Sequence, residues 1–346
     1  MIEVLITLLL TVFWTYYAMI RYLIQLAKSP GTVLSSKVRK VAPEVLTKGW
    51  NHAFVIVNGL KFHYVHAGNE DKPLILMLHG FPEFWYSWRH QLQKFQSSYH
   101  VVAVDMRGYG DSEKPYGVHN YSVDLMVKDI CELIPALGHN SCVLVGHDWG
   151  GVICWQVVLK YPELIDKFIV CNCPHPKAFN KYFQSDWRQM LKSWYMFFFQ
   201  SPVLPEMFLR AGDYKFIQSC LTDKQEGGAT NPQAFSHEDI EAWKYTFSQP
   251  GALTPPINYY RSAFLRRKRE PVLNERGERV ERPRVQPPTL IVWGTGDHFL
   301  STGMADASAE YCENATVKLI EGASHWVQQD EPEKVNAYIE DFLNNS

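Results

Sequence analysis

One aspartate occupies a position from which its side chain could act as a nucleophile. An apolar run ends at Gly146-His-Asp-Trp-Gly-Gly151, a pattern that predicts a buried strand breaking sharply into a helix with Asp148 at the turn. Gly146, Gly150 and Gly151 leave room for the bend and let the helix approach the strand closely. A carboxylate attacks a carbon electrophile directly and needs no base to remove a proton first, so Asp148 is the candidate nucleophile.

An acid and a histidine follow two later strands in the order that a catalytic triad on an α/β sheet requires. Asp297 comes after an apolar strand at residues 289–293, and His325 follows another at residues 316–320. Taken alone, Asp297 could be an aspartate that caps a turn, and His325 could be an ordinary surface histidine. Their shared placement after strand ends, in the chain order nucleophile, acid, histidine, favours the arrangement of α/β-hydrolases.

A turn after an earlier strand predicts donors for a developing negative charge. His79-Gly-Phe-Pro82 directly follows the apolar strand at residues 74–78, where a loop can direct a backbone amide toward the site. The amides of Phe81 and Trp149 would together form a two-donor oxyanion hole. Other histidines near these motifs are candidates for neighbouring structural roles, namely His79, His147, His175 and His298.

Short apolar segments alternate with helical patterns through most of the chain. Helical periodicity covers residues 122–137 and 152–161, and Asn58-Gly59 predicts a hairpin between two strands. Strands that alternate with helices predict an α/β fold with a mostly parallel sheet flanked by helices. The predicted strands are residues 54–57, 61–66, 74–78, 100–104, 142–145, 167–171, 289–293 and 316–320.

The alternation breaks between about residues 174 and 286, where the sequence is rich in aromatic residues and lacks strand patterns. It resumes afterwards, which predicts a helical lid inserted into the core domain. The predicted organisation is an N-terminal anchor helix at residues 1–28, a linker at 29–51, the first part of an α/β-hydrolase core at 52–173, the lid at 174–286 and the second part of the core at 287–346.

Residues 4–20 carry no charge, and their number is enough for a short membrane span. A cleaved signal peptide would need a basic start and a small-residue cleavage site, and this sequence has neither. An amphipathic helix would be apolar on one face only, whereas this segment is apolar nearly all round. Basic residues from Arg21 to Lys40 follow the span, so the positive-inside rule favours a cytosolic catalytic domain. We expect a single-pass membrane protein of the endoplasmic reticulum, with its orientation left open.

The composition of the chain bears on whether it binds nucleic acid, a metal ion or an organic cofactor. The chain carries 34 basic and 36 acidic residues, a balance without the positive charge that nucleic-acid binding favours. Its seven cysteines lack metal-ligand spacing, which predicts reduced and mostly buried thiols. No paired-histidine zinc pattern occurs, so we expect neither a metal nor an organic cofactor.

Five motifs in order carry a resemblance to a known family. They are HGFPEFWYSW at 79–88, DMRGYGDS at 105–112, GHDWGG at 146–151, WGTGDHF at 293–299 and ASHW at 323–326. From about residue 50 to 343 the chain resembles the α/β-hydrolase epoxide hydrolases, in particular the membrane-anchored epoxide hydrolase 4-like branch and its relative epoxide hydrolase 3. In that family two lid tyrosines hydrogen-bond the epoxide oxygen. The resemblance assigns them to Tyr195 and Tyr260, with Tyr259 as the neighbouring alternative.

The resemblance implies a two-step reaction of water with a lipophilic epoxide, such as that of an unsaturated fatty acid. Asp148 would attack an epoxide carbon while Tyr195 and Tyr260 assist the oxygen, which gives a hydroxyalkyl ester. His325, oriented by Asp297, would then activate water against the ester and release a vicinal diol. The expected substrate contacts are the side chains of Phe81, Trp149 and Tyr259.

Two other functions are weighed against this one. A haloalkane dehalogenase shares the aspartate, the histidine and the acid, but it binds halide with a Trp beside the nucleophile and an Asn or second Trp. Trp149 fits both functions, whereas Phe81 and the lid tyrosines favour the epoxide. A hydrolase-fold binding protein without activity is the second alternative, because slight misplacement of a side chain silences an enzyme.

The charged stretch from Arg266 to Arg284 predicts a solvated loop, and contact with anionic lipid headgroups is the alternative interpretation.

Overall fold

A computed structural model of the chain describes residues 2–265 and 284–345 and is built around an eight-stranded sheet. The strand order is β1-β2-β4-β3-β5-β6-β7-β8; β1, β2 and β4 pair antiparallel, and the remaining neighbours pair parallel. The strands are β1 (Asn51–Val57), β2 (Leu60–Ala67), β3 (Leu74–Leu78), β4 (His100–Val104), β5 (Cys142–His147), β6 (Ile165–Cys171), β7 (Thr289–Gly294) and β8 (Ala315–Ile320).

Helices cover the sheet, and the central strands β3, β4, β5 and β7 are buried along their whole length. Such burial explains why these strands read as continuous apolar runs in the sequence. The helices are α1 (Ile2–Lys28), α2 (Pro30–Val33), α3 (Glu44–Thr47), α4 (Arg89–Phe95), α5 (Val123–Ala136), α6 (Asp148–Lys160), α7 (Pro176–Ser185), α8 (Trp187–Lys192), α9 (Trp194–Phe198), α10 (Leu204–Thr222), α11 (His237–Ser248), α12 (Thr254–Leu265), α13 (Met304–Ala309), α14 (Val327–Asp330) and α15 (Pro332–Asn344).

The predicted α/β fold is confirmed, and the predicted strands all occur. Those at residues 74–78 and 100–104 coincide with β3 and β4, while others differ by a few residues at their ends. Between β6 and β7 the described residues form helices α7 to α12 and no strand of the sheet, as the break in alternation indicated. The stretch from Arg266 up to residue 283 lies outside the described residues. All seven cysteines are free, and six of them are buried.

Residues 29–51, the predicted linker, are folded against the rest of the chain. This segment contains α2 and α3, and the Arg39 guanidinium lies between two lid carboxylates. It is 2.7 Å from Asp213 and 3.0 Å from Glu241. An arginine shared by two partly buried carboxylates fixes the path of the backbone, which composition rich in Pro, Gly and Ser does not reveal.

Helix α1 packs beside the lid. Its Thr7–Lys28 part is long and apolar enough to cross a membrane, and among the described residues no other helix meets that test. One face contacts α9, where the rings of Trp14 and Trp194 are 6.0 Å apart and Ala18 is only 4% exposed. The other face leaves large apolar side chains uncovered, among them Leu9, Val12, Phe13, Tyr16 and Ile20.

Candidate active site

The turn from β5 to α6 holds Asp148 in a backbone conformation that L-residues seldom adopt, with φ of 47°. Strain of this kind persists only where surrounding contacts enforce it, and it aims the side chain away from the sheet. Two glycines allow the packing. A Cβ on Gly80 would lie 2.4 Å from the Cβ of Asp148, and one on Gly150 would lie 2.1 Å from the carbonyl oxygen of Leu78. The predicted strand, sharp turn and helix are therefore confirmed.

The structure brings Asp148, His325 and Asp297 together from three strand ends. Nδ1 of His325 donates to Oδ2 of Asp297 over 2.7 Å, and its Nε2 lies 3.6 Å from Oδ2 of Asp148. Each residue belongs to a loop or turn at the carboxyl end of a strand, β5, β7 or β8. Because β5 to β8 are adjacent and parallel, these ends share one edge of the sheet, as the sequence indicated.

Charge coupling within this group stabilises an ion pair. Burial lowers the pKa of His325, but the carboxylates of Asp297 and Asp148 outweigh that effect and raise it to about 10. Burial alone would raise the pKa of Asp148, yet the charge of the nearby His325 ring and the hydrogen bond from the Phe81 amide hold it below its usual value. At neutral pH the group therefore combines an anionic Asp148 with a cationic His325.

A backbone amide already contacts the Asp148 carboxylate. The N–H of Phe81 donates to Oδ1 over 2.8 Å, which leaves Oδ2 on the side of His325. Trp149 is the second residue of α6, in the first turn, where backbone N–H groups have no acceptor within the helix. The Phe81 amide thus contacts the carboxylate from a loop, and the Trp149 amide directly follows Asp148 at the start of the helix.

Two lid tyrosines line the cavity above Asp148. The rings of Tyr195 and Tyr260 are 5.8 Å apart, and both residues line one cavity with Asp148 and His325. Burial, reinforced by the charge of Asp148, raises the pKa of both phenols well above the usual value, so both remain protonated donors.

Tyr259, the neighbouring alternative, is not among the residues that line that cavity. It is fully buried, and its hydroxyl donates to the carbonyl of Arg107 over 2.7 Å. Trp149 packs its ring edge-to-face on Tyr260 at 5.0 Å and is also absent from the lining, whereas Phe81 lines the cavity. Of the three side chains expected to contact substrate, Phe81 is therefore the one that lines the cavity.

Asn172 is a site residue that sequence reasoning missed. Its side-chain N–H donates to Oδ2 of Asp297 over 2.7 Å, and its Oδ1 accepts from the N–H of Gly294 over 2.9 Å. The amides of Phe299 and Leu300 donate to the other Asp297 oxygen. These bonds fix the carboxylate that orients His325. A polar residue directly after strand β6 was the available signal in the sequence.

A second missed residue, Glu83, is a fully buried carboxylate beneath the site. It accepts hydrogen bonds from the N–H of Gly80 (2.7 Å) and from Nδ1 of His147 (2.6 Å). Nε2 of His147 donates in turn to the carbonyl of His325 over 2.9 Å. Glu83 and His147 therefore link the loop that carries Phe81 to the loop that carries His325. His147 thus has the structural role expected from its position.

The cavity above Asp148 has a volume of about 540 Å³ and reaches the N-terminal helix. On the lid side it is lined by aromatic rings, including Trp194 and Phe199. Residues on one face of the second half of α1 also line it, namely Tyr17, Ala18, Arg21, Tyr22, Gln25 and Lys28. Helix α1 is therefore a wall of the active-site cavity as well as a candidate anchor.

A sheet of this topology, with an aspartate at the elbow after β5 and an acid and a histidine after β7 and β8, defines an α/β-hydrolase with a carboxylate in the nucleophile position. A family model described as alpha/beta hydrolase fold matches residues 73–332. Epoxide hydrolase 1 of Caenorhabditis elegans is 46% identical over 91% of this chain and 75% of its own length.

Further relatives agree with this result. Epoxide hydrolase 4 of Homo sapiens is 41% identical over 94% of this chain and 88% of its own. The crystal structure of Bacillus megaterium epoxide hydrolase in complex with an inhibitor superimposes with a TM-score of 0.74 at 32% identity, over 85% of this chain and 100% of the other. The chain belongs to the epoxide hydrolases of the α/β-hydrolase family, as its motifs indicated, and the dehalogenase and binding-protein alternatives receive no support.

Proposed function

We propose that the chain hydrolyses lipophilic epoxides to vicinal diols through a covalent ester on Asp148. The observation that carries this proposal is a partly buried carboxylate that lies 3.6 Å from the His325 ring and lines one cavity with two lid phenols, with its Oδ1 held by the Phe81 amide. Oδ2 then attacks an epoxide carbon. The ring C–O bond breaks as the ester bond forms, and Tyr195 or Tyr260 gives its proton to the departing oxygen.

Ester formation removes the charge of Asp148, and this change allows His325 to act as the base in ester hydrolysis. The proton carried by His325 restores the phenol, and ester formation removes the Asp148 charge that helped to raise the pKa of the histidine. The neutral ring, held by Asp297, accepts a proton from water that attacks the ester carbonyl carbon. Oδ1 becomes the oxyanion and is stabilised by the Phe81 and Trp149 amides. Collapse of this intermediate breaks the bond between Cγ and Oδ2; the departing alkoxide takes the proton of the newly added hydroxyl group, which frees the diol and regenerates the carboxylate.

Replacing either lid phenol tests the first step. Tyr195→Phe and Tyr260→Phe are each expected to lower the rate of ester formation by about 10- to 100-fold, and the double variant by more, because one donor can partly replace the other. The measurement is single-turnover kinetics with excess enzyme. Tyr259→Phe is the matched control, since its hydroxyl contacts the Arg107 carbonyl and not the cavity. A larger loss in the control than in both site variants would contradict the assignment.

The cavity supports a lipophilic substrate that reaches the site from a bilayer. Aromatic rings line it on the lid side, and α1 forms another wall while leaving apolar side chains such as Val12 and Phe13 uncovered. We infer that α1 anchors the protein in a membrane, in the endoplasmic reticulum and with the catalytic domain in the cytosol, because basic residues follow the apolar segment. Resistance of the full chain to alkaline extraction from microsomes tests the anchor, and protease accessibility of the intact vesicles tests the orientation.

Basic side chains in the cavity wall support an epoxy fatty acid as the substrate. Arg21, Lys28 and Lys215 line the cavity and form no ion pair with any residue in the described ranges. Two acids, Asp223 and Glu226, line it as well, but Asp223 accepts a hydrogen bond from the Gln225 amide over 2.9 Å. An aliphatic chain ending in a carboxylate would place its charge near these cations and its epoxide near Asp148.

Charge removal in α1 tests this preference. Arg21→Gln is expected to raise KM for a long-chain epoxy acid about tenfold, which corresponds to loss of roughly 1.4 kcal/mol of binding, and to leave KM for its methyl ester unchanged. Both substrates are measured in the same detergent micelles. Lys40→Gln is the matched control, because Lys40 is exposed and does not line the cavity. Equal effects on acid and ester, or none on either, would contradict carboxylate recognition.

A further inference from the structure

A cluster of three side chains lies far from the reacting groups and has no role in the mechanism above. His66 belongs to β2, Glu70 to the loop between β2 and β3, and His100 is the first residue of β4. Each offers one ligand atom, a ring nitrogen or a carboxylate oxygen, and these atoms all lie within 4.8 Å of one another. Nδ1 of His66 is 3.7 Å from Oε1 of Glu70.

Two nitrogens in this cluster are buried without a hydrogen-bond partner. They are Nδ1 of His66 and Nε2 of His100, and His100 is only 2% exposed. Buried polar atoms are nearly always paired, so two unpaired ring nitrogens in one cluster with a carboxylate call for an explanation. A metal ion would occupy the lone pairs of both rings at once.

A third histidine, His139, orients one of these rings. Nδ1 of His100 lies 3.0 Å from Nε2 of His139, so one of the two rings donates and the other accepts. If His100 donates, its Nε2 carries no proton and its lone pair is available to a metal ion. Metal-binding histidines are commonly held in this way by a hydrogen bond at the other ring nitrogen.

We propose that His66, His100 and Glu70 bind a divalent transition-metal ion, with zinc as the best match. Two imidazoles and one carboxylate are a ligand set that Zn²⁺ accepts, with water as a fourth ligand. Ligand atoms about 2.1 Å from zinc lie ~3.4 Å apart in a tetrahedron, so the cluster closes by a small movement. Glu70 is exposed and free to make that movement.

The bound ion has a structural role. His100 opens β4, so the cluster lies at the amino-terminal edge of the parallel strands, opposite the edge that carries Asp148. A five-residue strand separates these edges by ~16 Å. The ion ties the loop between β2 and β3 to the start of β4. The ligands are scattered along the chain, which explains why no zinc pattern was visible in the sequence.

Metal titration of the full-length protein tests the site. Protein purified in detergent without a histidine tag is dialysed against a chelator, then titrated with Zn²⁺ by calorimetry and with Co²⁺ by visible absorption. We expect one ion per chain, the intense absorption of tetrahedral Co²⁺, and a higher Tm with Zn²⁺, because a ligand that binds only the folded state stabilises it.

Variants locate the ion. Glu70→Gln and His66→Gln are expected to weaken Zn²⁺ binding at least about tenfold. These residues are exposed or half-buried, so the variants avoid the core position of His100. His237→Gln, at an exposed histidine outside the cluster, is expected to bind as the wild type does. Absence of binding by the wild type, or unchanged affinity in His66→Gln, overturns the proposal.

Discussion

Asp148→Asn is expected to lower kcat by about 10⁴-fold or more, the scale of loss seen when a covalent nucleophile is removed. The amide keeps the size of the carboxylate but lacks its negative charge, so Oδ1 still accepts from Phe81 while nothing attacks the epoxide. The measurement is single turnover in isotope-labelled water with excess enzyme and a fatty-acid epoxide. In the wild type, the diol of the first turnover carries an unlabelled oxygen, because that oxygen comes from Asp148.

The control for this experiment is Asp166→Asn. Asp166 is an exposed residue of β6, the strand next to β5, and takes no part in the site, so this variant is expected to retain wild-type kinetics. Label in the first-turnover diol of the wild type would mean that water opens the epoxide directly. That result, or normal turnover by Asp148→Asn, would remove Asp148 from the covalent role.

His325→Gln is expected to stop the second step and let the ester accumulate. Attack by Asp148 needs no base, whereas water must lose a proton to attack the ester, so hydrolysis is expected to slow by about 10⁴-fold. Intact-protein mass spectrometry is then expected to detect a mass increase equal to one substrate molecule per chain. Each chain should form the ester once, and steady production of diol should not follow.

A neighbouring histidine provides the comparison. His298→Gln alters an exposed residue directly after Asp297 and is expected to turn over normally without a detectable adduct. Steady diol production by His325→Gln at the wild-type rate would contradict its role as base. Persistence of the adduct after addition of Asp148→Asn to the same variant would show that another residue carries the substrate.

The elbow, the strand ends and the triad order were predictable because each depends on a local pattern. Apolar runs marked β3 and β4 to the residue, and the small residues around Asp148 marked the turn. The partners of the triad were not predictable in this way. Asn172 contacts Asp297 from 125 residues away, and Glu83 contacts His147 from 64 residues away. Such pairs come together only when the sheet packs, and neither pair is marked by a local pattern of residue types in the sequence.

The two adjacent tyrosines of α12 illustrate a second limit. Successive residues of an α-helix point about 100° apart, so a sequence that names both Tyr259 and Tyr260 does not decide which faces the nucleophile. The structure places Tyr260 in the cavity and bonds Tyr259 to the backbone of Arg107. The apolar N-terminus was likewise recognisable as a candidate membrane span, whereas its contact with the lid was not, because that contact depends on how Trp14 meets Trp194.

The contribution of α1 to the cavity wall bears on how inhibitors of such an enzyme are chosen. A truncated chain that begins after Lys28 lacks Tyr17, Arg21 and Tyr22, and its binding trough is open on one side. On that shortened form, compounds with groups that clash with the intact helix would still bind well. Acidic compounds would bind less well, because the truncated chain lacks the Arg21 cation. Potency and selectivity should therefore be measured on a chain that includes α1.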